Sequence, residues 1–267
     1  MKTPLLTLVL STIVVAGCSR PTYDTSTPDA ALDSAQQMVE DGNADMLVML
    51  IHIQPRDIVF EDGVTEASAI EDVKGKLAEL LGQLWTVGTL LQEQFPGQVL
   101  QETSFAVDEA DEATRGDFDF GEMFGSVLAD PFGFIDENRD RLEVMDLGDG
   151  TAALLIDDEP VFGGFVAMEE TDEGWKLAIP IELVQDSEYW PQTRWEWAVV
   201  ASMLLSIENS LQDFENEVQA EQFRSLDYAA ERAGRILGES VVVQGIIYAY
   251  MKRSADEDDD VEYEEDA

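Results

Sequence analysis

The alternation of apolar and polar residues predicts two helices and a shorter apolar segment in the first hundred residues. Thr27 as N-cap and Pro28 in the first turn begin a helix, and Gly42 ends it. Residues Ala44 to Ile53 form a short apolar segment that we expect to be a second helix. From Thr65 to Gln94, apolar residues recur every three or four positions. This spacing predicts a long helix with one buried stripe: Leu77, Leu80, Leu81, Leu84, Val87 and Leu91.

Residues 151 to 181 change to the short apolar and alternating runs that are typical of strands. The runs are Thr151–Ile156, Val161–Met168 and Trp175–Ile181. Acidic turn sequences separate them, so we expect a three-stranded antiparallel meander. Pro160 is expected to lie between strands, where a missing N–H group leaves no ladder position unfilled.

Helical spacing returns after Asp186. Thr193 and Glu196 fit a capping box, and the predicted buried face of the helix that follows contains Trp195, Val199, Met203, Ile207, Leu211, Phe214 and Val218. A further helix is expected to end at Gly238. Ser240 to Arg253 is compatible with strand or helix, and its spacing favours helix. Asp256 to Asp266 is almost wholly acidic, which predicts a disordered tail.

Two stretches resemble the small NTF2-like (cystatin-like) α+β domains of bacterial lipoproteins. They are TPDAALDSAQQMVEDGNADMLVMLI (27–51) and DGTAALLIDDEPVFGGFVAMEETDEGWKLAIP (149–180), the second with the Trp175-Lys176 pair on its closing strand. The resemblance implies an α+β fold in which N-terminal helices pack on a curved antiparallel sheet, followed here by a helical extension. The expected boundaries are a signal peptide at 1–17, a lipidated tether at 18–28, the α+β domain at 29–185, the helical extension at 186–254 and a disordered acidic tail at 255–267.

The first 18 residues have the features of an export signal: Lys2, an apolar run from Leu5 to Val15, and small residues before a cleavage point. The apolar run is shorter than the roughly 20 residues that a membrane span needs. Val15, Ala16, Gly17 and Cys18 resemble the lipobox of bacterial lipoproteins. That resemblance implies diacylglycerol on the Cys18 thiol, cleavage between Gly17 and Cys18, and acylation of the new amine. An ordinary secretory signal with an incidental cysteine is the alternative.

The lipid would make the membrane a partner through the N-terminus, without a transmembrane helix. Ser19 occupies the position after the lipidated cysteine, where Asp favours inner-membrane retention in the Gram-negative families that this sequence resembles. We therefore expect the cell envelope, and the outer membrane in a Gram-negative host. Cys18 is the only cysteine, so the folded part has no disulfide and no cysteine metal site.

The charge of the chain restricts its partners. The chain has 57 acidic and 15 basic residues, for a net charge of −42. Such a field repels nucleic acid and bare anionic headgroups, so nucleic acid is excluded as a partner. A solvated acidic surface explains the charge, and a binding face for cations or a basic protein is the functional alternative.

The residue types that carry catalysis form no recognisable motif. His52 is the only histidine and lies in an apolar stretch, so we expect a packed or partly exposed imidazole. Asp136, Asn138 and Asp140 imitate the start of a calcium loop. Arg141 and Leu147 then occupy the places of the required glycine and glutamate, so no metal site is predicted.

Three further residue groups have an ordinary explanation. Tyr248 and Lys252 show Tyr-x-x-x-Lys spacing without a nucleotide-binding glycine motif, so we interpret the spacing as chance. Asp157-Asp158 is one of many carboxylate pairs and by itself indicates no acid–base chemistry. The tryptophans Trp190, Trp195 and Trp197 could stack a sugar or anchor a partner, and helical spacing favours burial of Trp195.

No catalytic residue and no cofactor is predicted. We expect a lipid-anchored envelope protein with a non-enzymatic role in binding a small ligand or another envelope protein. The alternative is a carboxylate-based enzyme that uses an NTF2-like cup, since that fold hosts both kinds of function. A cup filled by apolar side chains would favour binding, and a deep cup with polar groups at its base would favour an enzyme.

Overall fold

A computed structural model of the chain describes residues 21–97, 139–160, 167–178 and 190–261, with side chains to Arg253. The lipobox, the acidic segment 108–119, the Phe-rich segment 118–134, and Asp136 and Asn138 lie outside the described residues. The helices are α1 (Pro28–Glu40), α2 (Glu66–Gln94), α3 (Arg194–Gln219) and α4 (Leu226–Val261), with 3₁₀ turns at Ala44–Leu50 and Arg139–Arg141. The strands are β1 (Ile51–His52), β2 (Leu142–Asp146), β3 (Thr151–Ile156), β4 (Glu159–Pro160), β5 (Ala167–Thr171) and β6 (Gly174–Ala178). The protein is therefore α+β, as expected.

Helix α1 begins as its sequence predicts. The Thr27 side chain accepts a hydrogen bond from the Ala30 N–H at 3.1 Å, and Pro28 occupies the first turn. Ala31 and Met38 are buried. The prediction of an α-helix from Ala44 to Ile53 is wrong: the segment is a 3₁₀ helix followed by a strand. Ile51 pairs with Leu177 of β6 in parallel register, and this tertiary pairing overrides the helical spacing.

The strands form a sheet in the order β1-β6-β5-β3-β2, with β4 paired to one end of β3. The antiparallel pairing of β3 with β5 and of β5 with β6 confirms the predicted meander. Strand β5 is described only from Ala167 and continues to Thr171, past its predicted end at Met168. Strand β2 was not predicted from the sequence.

Pro160 lies in a short strand rather than between strands, which corrects the prediction. It pairs with Leu155 across the turn formed by Asp157 and Asp158. Both aspartates have positive φ angles, +54° and +67°. Two consecutive positive φ angles are the geometry of a type I′ hairpin turn, and aspartate tolerates it better than most residues.

Helix α1 covers one face of the sheet with apolar side chains. Ala31 of α1 packs with Ala152, Met168 and Trp175 in one buried cluster, and Leu32, Val144 and Leu177 pack against it. The side chains on this face fill the space between helix and sheet.

The other three helices pack on one another in a second core. The first turns of α2 and α3 pack against each other, because Ala69 and Ile70 share a cluster with Trp197. Helix α4 runs back along α3, and the Ser206 and Ser240 hydroxyls are 2.8 Å apart. The main cluster joins all three helices: Leu80, Val87, Leu91, Phe95, Leu211, Phe214, Val218, Phe223, Leu226, Ala229, Ala233 and Leu237. The expected boundary between 185 and 186 therefore does not divide the packing, because α2 shares its core with α3 and α4.

Helix α4 does not end at Gly238, so that prediction is wrong. Residues 240–253 are helical, as favoured from their spacing, and the helix continues to Val261. Leu237 and Tyr248 are buried on either side of the glycine, and their packing exceeds the cost of about 1 kcal/mol for a glycine in a helix. The segment 255–267 was predicted to be disordered, but its part up to residue 261 is helical, and 262–267 lie outside the described residues.

The prediction that Trp195 is buried is wrong, since 77% of this residue is exposed. The predicted face continued an i, i+4 series, which drifts by about 40° at each step because a turn contains 3.6 residues. The buried stripe of α3 instead begins at Trp197, two residues and about 200° further round the helix.

The second half of the expected tether 18–28 is packed on the domain. The Thr25 carbonyl accepts a hydrogen bond from the Trp175 N–H at 2.7 Å, and the Ser34 hydroxyl donates to the Asp24 carbonyl at 2.6 Å. Tyr23 accepts a hydrogen bond from Asn43 at 2.9 Å. The chain is therefore held against the domain from Tyr23 onwards, so residues 23–28 do not belong to a free tether. Within the described residues, no helix is both long and apolar enough to cross a membrane.

Candidate functional site

Two groups of charged residues are candidates for a functional site. One is a buried cluster at the start of the long helices, and the other is an acidic groove at the end of the sheet. The buried cluster is centred on Glu66, the first residue of α2, which is only 1% exposed. Its carboxylate accepts the Arg56 N–H at 2.5 Å and the Arg56 guanidinium at 3.0 and 3.3 Å. The Trp190 indole N–H donates to the same carboxylate at 3.4 Å.

A second buried carboxylate, Glu196, lies in the first turn of α3. It completes the capping box that the sequence predicts, accepting the Thr193 N–H at 3.0 Å while its own N–H donates to the Thr193 hydroxyl. Lys252 of α4 places its ammonium group 3.1 Å from Glu196 and donates to the Trp190 carbonyl at 3.0 Å. Trp190 thus connects the two carboxylates, because its indole contacts Glu66 and its carbonyl contacts Lys252.

Tyr248 lies one turn before Lys252 and is buried. Burial and, as the smaller cause, the nearby Glu196 carboxylate together raise the pKa of Tyr248 to about 12. Tyr248 and Lys252 therefore both lie near the start of α3, where they belong to the packing of α4 on α3. The interpretation of their Tyr-x-x-x-Lys spacing as chance stays a prediction.

The buried cluster has the chemistry of a structural ion-pair network. Each carboxylate receives several donors, so neither has the free lone pairs that a ligand or a transferred proton needs. Trp190 and Trp197 pack edge to face beside it, with ring centroids 5.4 Å apart. Helix spacing alone gave no signal for Glu66 or Arg56, because nothing in their local sequence marks them as buried partners.

The acidic groove has a volume of about 530 Å³ and lies where the β2–β3 and β5–β6 turns meet the end of β1. Its lining residues are Gln54, Asp149, Gly150, Thr151, Glu169, Glu170, Thr171 and Asp172. Four of them are carboxylates, and no lysine or arginine lines it among the described residues. Its walls are polar and open to solvent.

The backbone of the two turns fixes the groove. The Glu170 N–H donates to the Gly150 carbonyl at 2.8 Å, which holds the β2–β3 turn against β5. Thr151 donates to Asp149 through its N–H at 3.2 Å and through its hydroxyl. The hydroxyl bond keeps the pKa of Asp149 below its usual range, so this carboxylate is ionised at neutral pH.

His52 lies beside the groove and is partly exposed. Its Nε2 atom is 3.7 Å from a carboxylate oxygen of Glu169. At the nearby β5–β6 turn, Lys176 pairs with Glu173 and keeps the pKa of Glu173 low. Lys176, in the Trp175-Lys176 pair, therefore belongs to an ion pair near the groove rather than to its lining.

The remaining predicted residues are not brought into one site. Asp157 pairs with Arg141, which lowers the pKa of Asp157. Asp157 lies in the β3–β4 turn, and Arg141 lies in the 3₁₀ turn before β2. Leu147 is exposed in the β2–β3 turn. The described residues contain no group of three or more His, Cys, Asp or Glu side chains that could hold a metal ion.

Comparison of the chain with protein-family models, with curated proteins and with solved structures gives no match.

Proposed function

We propose that this protein is a lipid-anchored protein of the bacterial cell envelope that binds cationic partners through the acidic groove, without catalysing a reaction. The observation that carries the proposal is the lining of the groove, where Asp149, Glu169, Glu170 and Asp172 surround a space of about 530 Å³. A lysine- or arginine-rich segment of another envelope protein, or a small cationic ligand, complements this charge.

The anchor and the groove are connected through the first described residues. The Thr25 hydroxyl donates to the Glu173 carbonyl at 3.2 Å, so the chain enters the domain at the β5–β6 turn that also lines the groove. Five residues, 18–22, precede Tyr23, the first residue held by the domain, and Cys18 with its proposed acyl group is the first of them. They span at most about 17 Å when extended. With Cys18 acylated after cleavage at Gly17, the groove is close to the bilayer, and Ser19 supports the outer membrane in a Gram-negative host.

The packing of the sheet supports a binding role over an enzyme in a cup. The sheet face that α1 covers is filled by Ala31, Ala152, Met168 and Trp175, which leaves the described part of that face without a cavity for substrate. The buried carboxylates Glu66 and Glu196 are already paired with cationic side chains and backbone N–H groups.

We also propose that α1 and the sheet are related to the NTF2-like domains. The support is the packing of α1 on the antiparallel strands β2, β3, β5 and β6, and the Trp175-Lys176 pair on β6. The bundle of α2, α3 and α4 is then an addition to that arrangement.

Binding of an octalysine peptide tests the groove. Titration by calorimetry in 0.15 M sodium chloride limits long-range attraction, because the screening length is then about 8 Å. We expect the triple variant Glu169→Gln, Glu170→Gln, Asp172→Asn to weaken binding at least tenfold. The matched control Glu143→Gln, Glu159→Gln, Asp213→Asn removes the same charge from exposed positions elsewhere and should change affinity less than twofold. Equal losses in both variants, or no binding by the wild type, would contradict the proposal.

A further inference from the structure

The outward face of α4 changes character along its length. Its first half exposes charged residues at four-residue intervals: Asp227, Glu231, Arg235 and Glu239. The same face then becomes apolar for three turns, and it is charged again at the exposed Arg253. The exposed apolar residues are Val242 (58%), Val243 (54%), Ile246 (65%), Ile247 (49%) and Tyr250 (75%). We call these five residues the α4 stripe.

The α4 stripe lies opposite the side of the helix that packs on α3. At about 100° per residue, its members span roughly 140° of the helix circumference. Ala233, Leu237 and Tyr248 are buried and lie on the other side. Helix α4 therefore buries apolar residues on one side and exposes the apolar α4 stripe on the opposite side, a pattern typical of a helix that is covered on both sides.

We propose that the α4 stripe is the contact surface of a homodimer in which two α4 helices pack antiparallel about a two-fold axis at Ile246. In this register each helix presents the same residues to the other, as a two-fold interface requires. Ile246 meets Ile246 of the second copy, and Val242 meets its Tyr250. The proposal does not depend on the proposed anchor or on the acidic groove.

The charges at the two ends of the stripe are complementary in this register. Glu239 of one copy lies opposite Arg253 of the other, because both are seven residues from Ile246. The two-fold axis produces this ion pair twice. Within one helix the same residues are about 21 Å apart, too far to pair with each other.

A second copy suits this face better than a lipid surface or a charged partner. Residues 240–251 contain no charged residue, although the whole chain has a net charge of −42. The stripe is therefore the region of α4 where two such chains approach with the least repulsion. The contact is about 21 Å long, at the low end of specific interfaces, so we expect a dimer that dissociates on dilution.

Disulfide trapping of the full chain tests the register. With Cys18→Ser removing the only native thiol, Ile246→Cys places two thiols at the proposed axis, and mild oxidation should link most chains into dimers. Tyr228→Cys is the matched control, because it is exposed on the same face of α4 but far from the axis. If Ile246→Cys forms no more dimer than Tyr228→Cys, the proposal is overturned and the face is covered by lipid, another protein or this chain itself.

A charge exchange distinguishes the proposed register from nonspecific apolar contact. In the Cys18→Ser protein, Glu239→Arg alone and Arg253→Glu alone should each raise the dissociation constant of the dimer about tenfold, as measured by sedimentation equilibrium. The double exchange should return it to within about threefold of the starting value. A double variant as weak as the two single variants would overturn the register, and a starting protein that stays monomeric at all concentrations would overturn the dimer.

Discussion

Among the described glycines, Gly174 is the residue at which an added methyl group is expected to have the largest local effect. Its φ angle is +109°, and a Cβ atom there would lie 2.7 Å from the Thr25 carbonyl oxygen. Gly174→Ala combines backbone strain with this clash, so we expect a loss of about 3 kcal/mol in the free energy of unfolding. Gly148→Ala is the control: its φ is +83° with nothing within 4 Å, so strain alone should lower stability by about 1 to 2 kcal/mol. Urea titration measures both, and equal losses would contradict the contact with Thr25.

Tyr248 gives the protein a predicted sensitivity to alkaline pH. Burial raises its pKa from 10.0 to about 12 in the folded protein. Between these values the unfolded chain loses the proton while the folded chain keeps it. The contribution to stability is therefore complete below pH 10 and is lost as the pH rises towards 12. Tyr248→Phe should flatten the fall in unfolding free energy between pH 9 and pH 11. Tyr228→Phe, at a half-exposed position, should leave the profile unchanged; identical profiles for wild type and Tyr248→Phe would refute this.

The limits of sequence reasoning are visible in single residues. Thr27 and Thr193 were predicted as helix caps, because capping depends on residues three positions away. Burial of Glu66 was not predictable, because its partners Arg56 and Trp190 are 10 and 124 residues away in the chain. The groove carboxylates could not be picked out from the sequence either, because they are four among 57 acidic residues.

At the scale of elements, the ion pair between Lys252 and Glu196 fixes the end of α4 to the start of α3. Lys252→Met leaves Glu196 buried without its counter-ion, so we expect a loss of about 2 to 4 kcal/mol in unfolding free energy. Lys76→Met breaks a solvent-accessible pair on α2 and should cost less than about 1 kcal/mol. Thermal and urea unfolding check the difference. Equal, small losses would mean that water replaces the lysine.

The elements that depend on local pattern were predicted, and those that depend on distant pairing were not. Helix α2 and the antiparallel pairing of β3, β5 and β6 follow from periodicity and turn residues. Strand β1 has helical spacing but becomes a strand through its pairing with β6. The packing of α2 against α3 was also missed, because periodicity shows which face of a helix is buried and not what covers it.

At the scale of the whole molecule, the proposed lipid anchor holds the protein near the bilayer, while its negative charge repels it from anionic headgroups. The net charge of −42 repels anionic headgroups, but at 0.15 M salt this repulsion decays within about 8 Å. Residues 18–22 reach about 17 Å, which is enough to hold the acidic body outside that layer. In the proposed arrangement the groove lies near the tether, because the chain joins the domain at the β5–β6 turn.

Mass spectrometry of the N-terminal peptide, isolated from membranes of cells that make the full chain, tests the central claim of a lipid-anchored protein most directly. The account predicts a peptide that begins at Cys18 and carries the added mass of acyl chains. It also predicts that Cys18→Ser removes this mass and leaves the protein either uncleaved or soluble. A native peptide without acyl mass, together with a Cys18→Ser protein that fractionates with membranes as the wild type does, would contradict the account.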